Sequence, residues 1–378
     1  MEEKISSRAR ALKLPESVTL LMRPALCVGL VYVLLISLFV AARHYSALDF
    51  IHLGTVWGAH NKSGTWGYDG QFYYQIARNP LGAAQYMDNA PYRYEHLLYS
   101  LLTWMLSFGN APLVPYTLLL INLFSIVGSV EIVSRLLKAY GFSPWFSLAL
   151  GLYYGQAVGL TFDTSEPFTC LLICLGFWYL EKKQLTASAL WLGLATISRE
   201  IAVLFPLCLA AYFVWKHQWR DASGFIILGV LPLAVLLGSL ALIFGQTGVT
   251  FAPPFEHIPF AGILDYRYAP RKFGLLVLMI LLPLLVSLGF LAWDLLRLRA
   301  SQLTLVWAAN LGLMVFLSHS TYLELVSCGR VGIAVVLAGM LYALKTRNKT
   351  LLWALQIYTL TFIIYFFGTM AHLDSFIA

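Results

Sequence analysis

The sequence predicts an all-α, polytopic transmembrane protein of about eleven spans. Three observations predict it. Hydrophobic residues make up 60% of the 378-residue chain and charged residues only 11%, whereas a soluble domain is about one-quarter charged. Mean hydropathy is +0.75. Apolar runs recur from residue 25 to residue 369 and leave no room for a separate soluble domain, so the chain reads as one integral membrane domain over 1–378.

Residues 1–24 are polar and basic and read as a cytoplasmic N-terminal segment. They do not look like a cleavable signal, because the stretch ALCVGLVYVLLISLFVAA that follows can span by itself. The apolar runs place helices at 25–44, 113–134, 145–162, 167–181, 185–199, 201–215, 224–245, 273–293, 302–318, 329–344 and 351–369. Several fall short of the roughly 20 residues that a crossing needs, so their flanks must extend them. LLYSLLTWMLSFG (97–109) is too short to span and runs into Gly109-Asn110 before Pro112 and Pro115. It reads as a half-helix at the outer surface.

Charge placement tests this topology. With the N-terminus inside, Lys4, Arg8, Arg10, Lys13 and Arg23 fall inside, as do Arg135, Lys138, Lys182, Lys183, Lys216 and Arg220. Arg297, Arg299, Lys345, Arg347 and Lys349 bring the total to 16 of 25 basic residues. That is the positive-inside pattern. The net charge of +7 is therefore an orientation signal rather than a sign of nucleic-acid binding. The outer side collects 11 of the 18 acids and seven of the eight histidines. Those residues orient a chain only weakly, so chemistry at the outer face is the better account. The five cysteines fall almost entirely in apolar segments and read as small buried hydrophobes.

Two outer loops are long, 45–112 and 246–272, and long loops are usually functional or disordered. The first is too aromatic for disorder. Within it GQFYYQIAR reads as a short interfacial helix, with Phe72, Tyr73 and Ile76 on one apolar face. Asp69 stands just before it and has two readings, a helix cap or a catalytic base. The second follows from what an outer-face reaction can use. Nucleotide donors are not normally present there, so a transferase needs a donor carried by the membrane, such as a sugar on a polyprenyl phosphate. It then needs one carboxylate to take the acceptor's proton and cations to hold the departing phosphate. Arg267, Arg271 and Lys272 in the second loop, with Arg199 and Arg330 at helix ends, are the candidate cations. Arg199 and Glu200 interrupt an apolar run, where charges mark either a helix end or a polar cavity. Asp163 and Glu166 sit at a helix start, where Asp163 or Ser165 can cap and Glu166 favours the positive helix end. Tyr68, Gln71, Arg93 and His96 complete the candidate pocket. A metal set built from Glu95, His96 and His52 or His60 lacks supporting spacing.

GYDGQFYYQIARNP, PYRYEHLLYSLLTWMLSFGN, TSEPF and LEKKQLTASALWLGLATISRE together resemble the GT-C membrane glycosyltransferases, most nearly the PIG-V-like mannosyltransferases and related bacterial proteins. The likeness covers roughly 60–210. It implies that Asp69 is the catalytic base and that 70–78 and 97–108 are jaw helices on the membrane. It also assigns Ser165, Glu166 and Arg199 to the site. By resemblance the donor is a polyprenyl-phosphate sugar, no cofactor or metal is expected, and the acceptor is a lipid, glycan or protein. The expected activity is that of an inverting hexosyltransferase of the bacterial cytoplasmic membrane, with the active site extracytoplasmic. Two rivals remain: a lipid-linked sugar transporter or flippase, and a non-catalytic membrane subunit of a glycan-assembly complex.

Overall fold

Without water to bond the backbone, apolar chain at membrane depth must satisfy its own N–H and C=O groups, and helices do so within one segment. The computed structural model describes residues 23–297 and 301–370, and among them there is no strand. The basic segment 1–24 lies outside the described residues except for Arg23 and Pro24, as do Arg299, His372 and Asp374. Helices longer than one turn are α1 (Pro24–Arg43), α2 (Gly70–Arg78), α3 (Ala90–Tyr94), α4 (Leu97–Leu106), α5 (Val114–Ala139), α6 (Tyr154–Thr161) and α7 (Glu166–Glu181). They continue with α8 (Leu185–Ser198), α9 (Leu204–Trp215), α10 (Trp219–Phe244), α11 (Pro270–Leu296), α12 (Gln302–Val315), α13 (Leu325–Lys345) and α14 (Lys349–Thr369).

Six of these, α1, α5, α10, α11, α13 and α14, are long and apolar enough to cross a membrane. The protein is therefore an all-α integral membrane protein. Burial separates their roles. The central pillar is α13, 89% buried along its most apolar stretch and packed against α6, α7 and α12. By contrast α10 is only 17% buried and turns Ile226, Ile227, Val235, Leu242 and Ile243 outward. A surface so apolar belongs against lipid rather than water. Both α10 and α11 widen into a π-helical turn, at Phe225–Val230 and Val277–Leu281, just before Pro232 and Pro283. Proline lacks the N–H that the carbonyl four residues earlier would take, so the ladder shifts there.

The expected span at 145–162 is not one helix. It breaks between the turn Leu148–Gly151 and α6, around Leu152 and Tyr153. Freed backbone groups at the break find side-chain partners from other helices. The Tyr32 hydroxyl donates to the Gly151 carbonyl (2.9 Å), and the Tyr154 N–H reaches the Thr361 hydroxyl (3.4 Å). All five cysteines are free, four buried and Cys27 half-buried.

The short helix expected over GQFYYQIAR is α2, but it does not lie on a surface by one apolar face. Gly70 to Ala77 are all buried. One side, Phe72 and Ile76, packs with Ala83, Met87, Tyr94 and Leu240. The other, Tyr73, Tyr74 and Ala77, joins the main core. So α2 is a wedge between two apolar clusters. Its neighbour α4 keeps the half-helix character, leaving Trp104, Met105 and Leu106 exposed.

Candidate active site

Residues 67–70 are held from both sides. Gly67 adopts φ +71°, a left-handed conformation that side chains disfavour. The Gln71 amide accepts from Gly54 N–H (3.1 Å) and donates to the Trp66 carbonyl (2.8 Å). Gly70 lies under the turn before α7, where a Cβ would come within 2.3 Å of the Phe162 carbonyl oxygen. Only glycine lets α2 start so close to that turn. The cap reading of Asp69 fails: its carboxylate bonds none of the first N–H groups of α2, because two arginines claim it.

Arg93 Nη1 donates to Asp69 Oδ1 at 2.9 Å, and Arg330 Nη2 donates to Asp69 Oδ2 at 2.7 Å. Arg93 is itself gripped by a fork to Asp88, Nε to Oδ1 at 2.8 Å and Nη2 to Oδ2 at 2.6 Å. It also lies 4.1 Å above the Phe72 ring. Behind Asp69, Glu166 Oε1 sits 3.6 Å from both Arg330 Nη1 and Arg199 Nε. Those two nitrogens and both Glu166 oxygens are buried without a hydrogen-bond partner among the described residues. Native interiors rarely tolerate this. On the far side His96 Nε2 is 2.6 Å from Glu200 Oε2, and Arg199 Nη1 lies 3.1 Å from the same nitrogen.

These groups line a cleft of about 340 Å³ whose walls include Asp69, Arg93, Arg199, Arg330, Tyr92 and Phe251, with hydroxyls from Ser320, Thr321 and Ser327. Three arginines and one carboxylate line the cleft, and Asp88, Glu166 and Glu200 behind them offset the charge. What an anion meets is the unspent N–H groups of Arg199 and Arg330. Arg199, Arg330 and Val331 also line a narrow apolar slot that continues between Ile173, Phe205, Ile333 and Leu337, with about 20 Å³ of free space.

The electrostatics follow from these contacts. Burial alone would raise the Asp69 carboxyl, but Arg93 and Arg330 more than reverse that and hold it well below the usual range. For Glu200, Arg199 and His96 likewise overcome burial and lower it. Burial lowers His96 despite Glu200, which favours the neutral imidazole. Glu95 goes the other way: burial, helped by the Glu200 charge, pushes it up to about 7. Arg93 is raised by Asp69 and Asp88 despite burial.

The structure thus gathers Asp69, Arg93, His96, Glu166, Arg199, Glu200 and Arg330 into one network. Tyr68 stands at its edge, with its ring 5.0 Å from the Arg330 guanidinium and its hydroxyl 2.8 Å from Ser327. Gln71 ties the loop rather than facing the cleft. The second-loop cations are not brought in. Arg267 is exposed and spends its N–H groups on the Leu264 carbonyl and the Tyr268 hydroxyl. Arg271 is exposed, and Lys272 donates to the Leu323 carbonyl over the Tyr266 ring. The cations around Asp69 are Arg93, Arg199 and Arg330 instead. Asp163 and Ser165 do not cap α7: Ser165 pairs with the Tyr73 hydroxyl at 3.2 Å. Asp163 is fully buried at φ +45°, its oxygens unpartnered among the described residues. His52 stacks on Phe162 and His60 on Tyr86, away from Glu95 and His96. Among the participants that escape sequence reasoning are Asp88, Tyr92, Phe251, Ser320, Thr321 and Ser327. Asp88 and Arg93 are five residues apart and not on one helix, a spacing that signals nothing.

No family model, curated protein or solved structure matches this chain. The chemistry of the cleft therefore has to be argued from its own side chains.

Proposed function

We propose that this protein is an inverting glycosyltransferase that takes a sugar from a polyprenyl-phosphate donor and passes it to a hydroxyl acceptor. One observation carries the reading. The arginine-walled cleft beside Asp69 and the apolar slot share Arg199, Arg330 and Val331. An anionic head joined to an apolar tail has that form, as in a polyprenyl phosphate. The tail has to part the walls of the slot, whose free space is near that of one water. Asp69 takes the proton of the acceptor hydroxyl. The freed oxygen bonds to the anomeric carbon from the side opposite the phosphate. The bond from that carbon to the phosphate oxygen breaks, and the phosphate leaves with its electron pair, neutralised by Arg199 and Arg330. A single displacement inverts the anomeric centre. In this reading the chain is GT-C-like, with about eleven spans, a cytoplasmic N-terminus, α2 and α4 as jaw helices, and the cleft at the outer face of a bacterial cytoplasmic membrane.

The test uses protein reconstituted in vesicles with candidate polyprenyl-phosphate sugars, followed by release of free polyprenyl phosphate. Asp69→Asn is expected to abolish release while the protein still inserts and binds the donor. Near-normal release by that variant overturns the assignment of the base.

A further inference from the structure

Both carboxylate oxygens of Asp69 carry an arginine, which lowers its basicity without using up its lone pairs. Arg93 holds Oδ1 and Arg330 holds Oδ2, at 2.9 and 2.7 Å. The two arginines differ in what else restrains them. Arg93 is anchored by both bonds to Asp88, which leaves Nη1 as its contribution to Asp69. Arg330 bonds Asp69 through Nη2, while its Nε and Nη1 find no hydrogen-bond partner among the described residues. Its other anion, Glu166, stands off at 3.6 Å. Arg330 lines both the cleft and the slot, so a phosphate in the cleft meets a guanidinium with unspent donors.

Resting on the donor chemistry above, we infer that the paired arginines Arg93 and Arg330 suppress the basicity of Asp69, and that a phosphate anion restores it by taking Arg330. Phosphate offers a guanidinium two parallel charge-assisted hydrogen bonds, which a carboxylate holding one N–H does not. Transfer of Arg330 bares Oδ2, while Arg93 keeps Oδ1 and therefore the orientation of the carboxylate. With one cation withdrawn, Asp69 regains basicity. The hydroxyl acceptor is then activated only after the phosphate has bound, so binding is ordered, phosphate first. Arg330 is a switch between base and leaving group as well as a cation for the latter.

The competition can be read without any transfer reaction. Dodecyl phosphate is titrated calorimetrically into the full-length protein in detergent micelles, for wild type, Asp69→Asn, Arg330→Gln and the double variant. If Arg330 is shared, Asp69→Asn tightens binding by about tenfold, the low end for close charge pairs. In the Arg330→Gln background the same change should shift affinity by no more than about twofold, the additive limit. A gain that persists without Arg330 is plain charge repulsion and overturns the inference alone. Binding by none of the four overturns the phosphate-cleft reading and this inference with it. Arg330→Met supplies a second uncharged background should Arg330→Gln not fold.

Discussion

Gly70→Ala tests whether the position of Asp69 depends on the close approach of α2 to the turn before α7. The added Cβ would stand 2.3 Å from the Phe162 carbonyl oxygen and 2.9 Å from that of Ile51. Both obstacles are backbone and cannot rotate away. Carbon–oxygen contacts lie near 3.3 Å or more, so the start of α2 must retreat by about 1 Å. Asp69, one residue earlier, moves with it, and its 2.7 and 2.9 Å contacts to Arg330 and Arg93 stretch beyond hydrogen-bond range. A 1 Å misplacement of a reacting group costs about 100-fold in rate. The backbone clash also costs about 1–3 kcal/mol of stability, as overpacking does. The assay is release of polyprenyl phosphate in vesicles, with thermal unfolding measured alongside. The opposite stability outcome is informative: where alanine fits, a helical Gly→Ala change stabilises by about 0.4–1 kcal/mol. A folded Gly70→Ala protein with wild-type turnover, or one that unfolds at a higher temperature, refutes the account.

Other outcomes follow from single side chains. Glu95 titrates at about 7 in the folded protein against an ordinary value of 4.5. Its carboxyl therefore favours the folded state below 4.5, and that contribution is lost as pH rises through 7. Glu95→Gln should flatten the fall in unfolding temperature between pH 4.5 and 7; an unchanged slope refutes it. At Asp163, with φ +45° and no partner for its carboxylate among the described residues, Asn should be tolerated, because it accepts the left-handed region and carries no charge. Asp163→Ala should lose about 1–2 kcal/mol from that backbone strain, and equal unfolding temperatures for the two variants contradict this. Tyr32→Phe removes the donor to the Gly151 carbonyl and should cost about 1–3 kcal/mol, the cost of an orphaned buried acceptor. A thermal shift no larger than that of an exposed Tyr116→Phe control counts against it.

Local features were legible in the sequence where local chemistry decides them. The bounds of α2 could be read because Asp-Gly opens GQFYYQIAR and Asn79-Pro80 closes it. Its enclosure could not, since Met87, Tyr94 and Leu240 come from elsewhere in the chain. Asp69 before a helix looked equally like a cap, and what excludes that role is Arg330, 261 residues away. Arg267 and Arg271 were attractive because their loop is long and aromatic. Tertiary packing instead stacks Tyr266 on His319 and leaves Arg267 to Tyr268. The break near Tyr153 was invisible for the same reason: the groups that repair it, Tyr32 and Thr361, belong to α1 and α14. Apolar periodicity records that a segment is buried, but not whether its ladder is continuous.

The wedge formed by α2 couples Asp69 to a lipid-facing helix. Phe72 and Ile76 pack in the same cluster as Leu240, and Leu240 belongs to α10, the long helix with the least protein around it. The helix that follows Asp69 thus packs directly on the long helix most open to lipid. Lipid composition and detergent choice, normally background conditions for a buried site, become variables acting on the carboxylate itself.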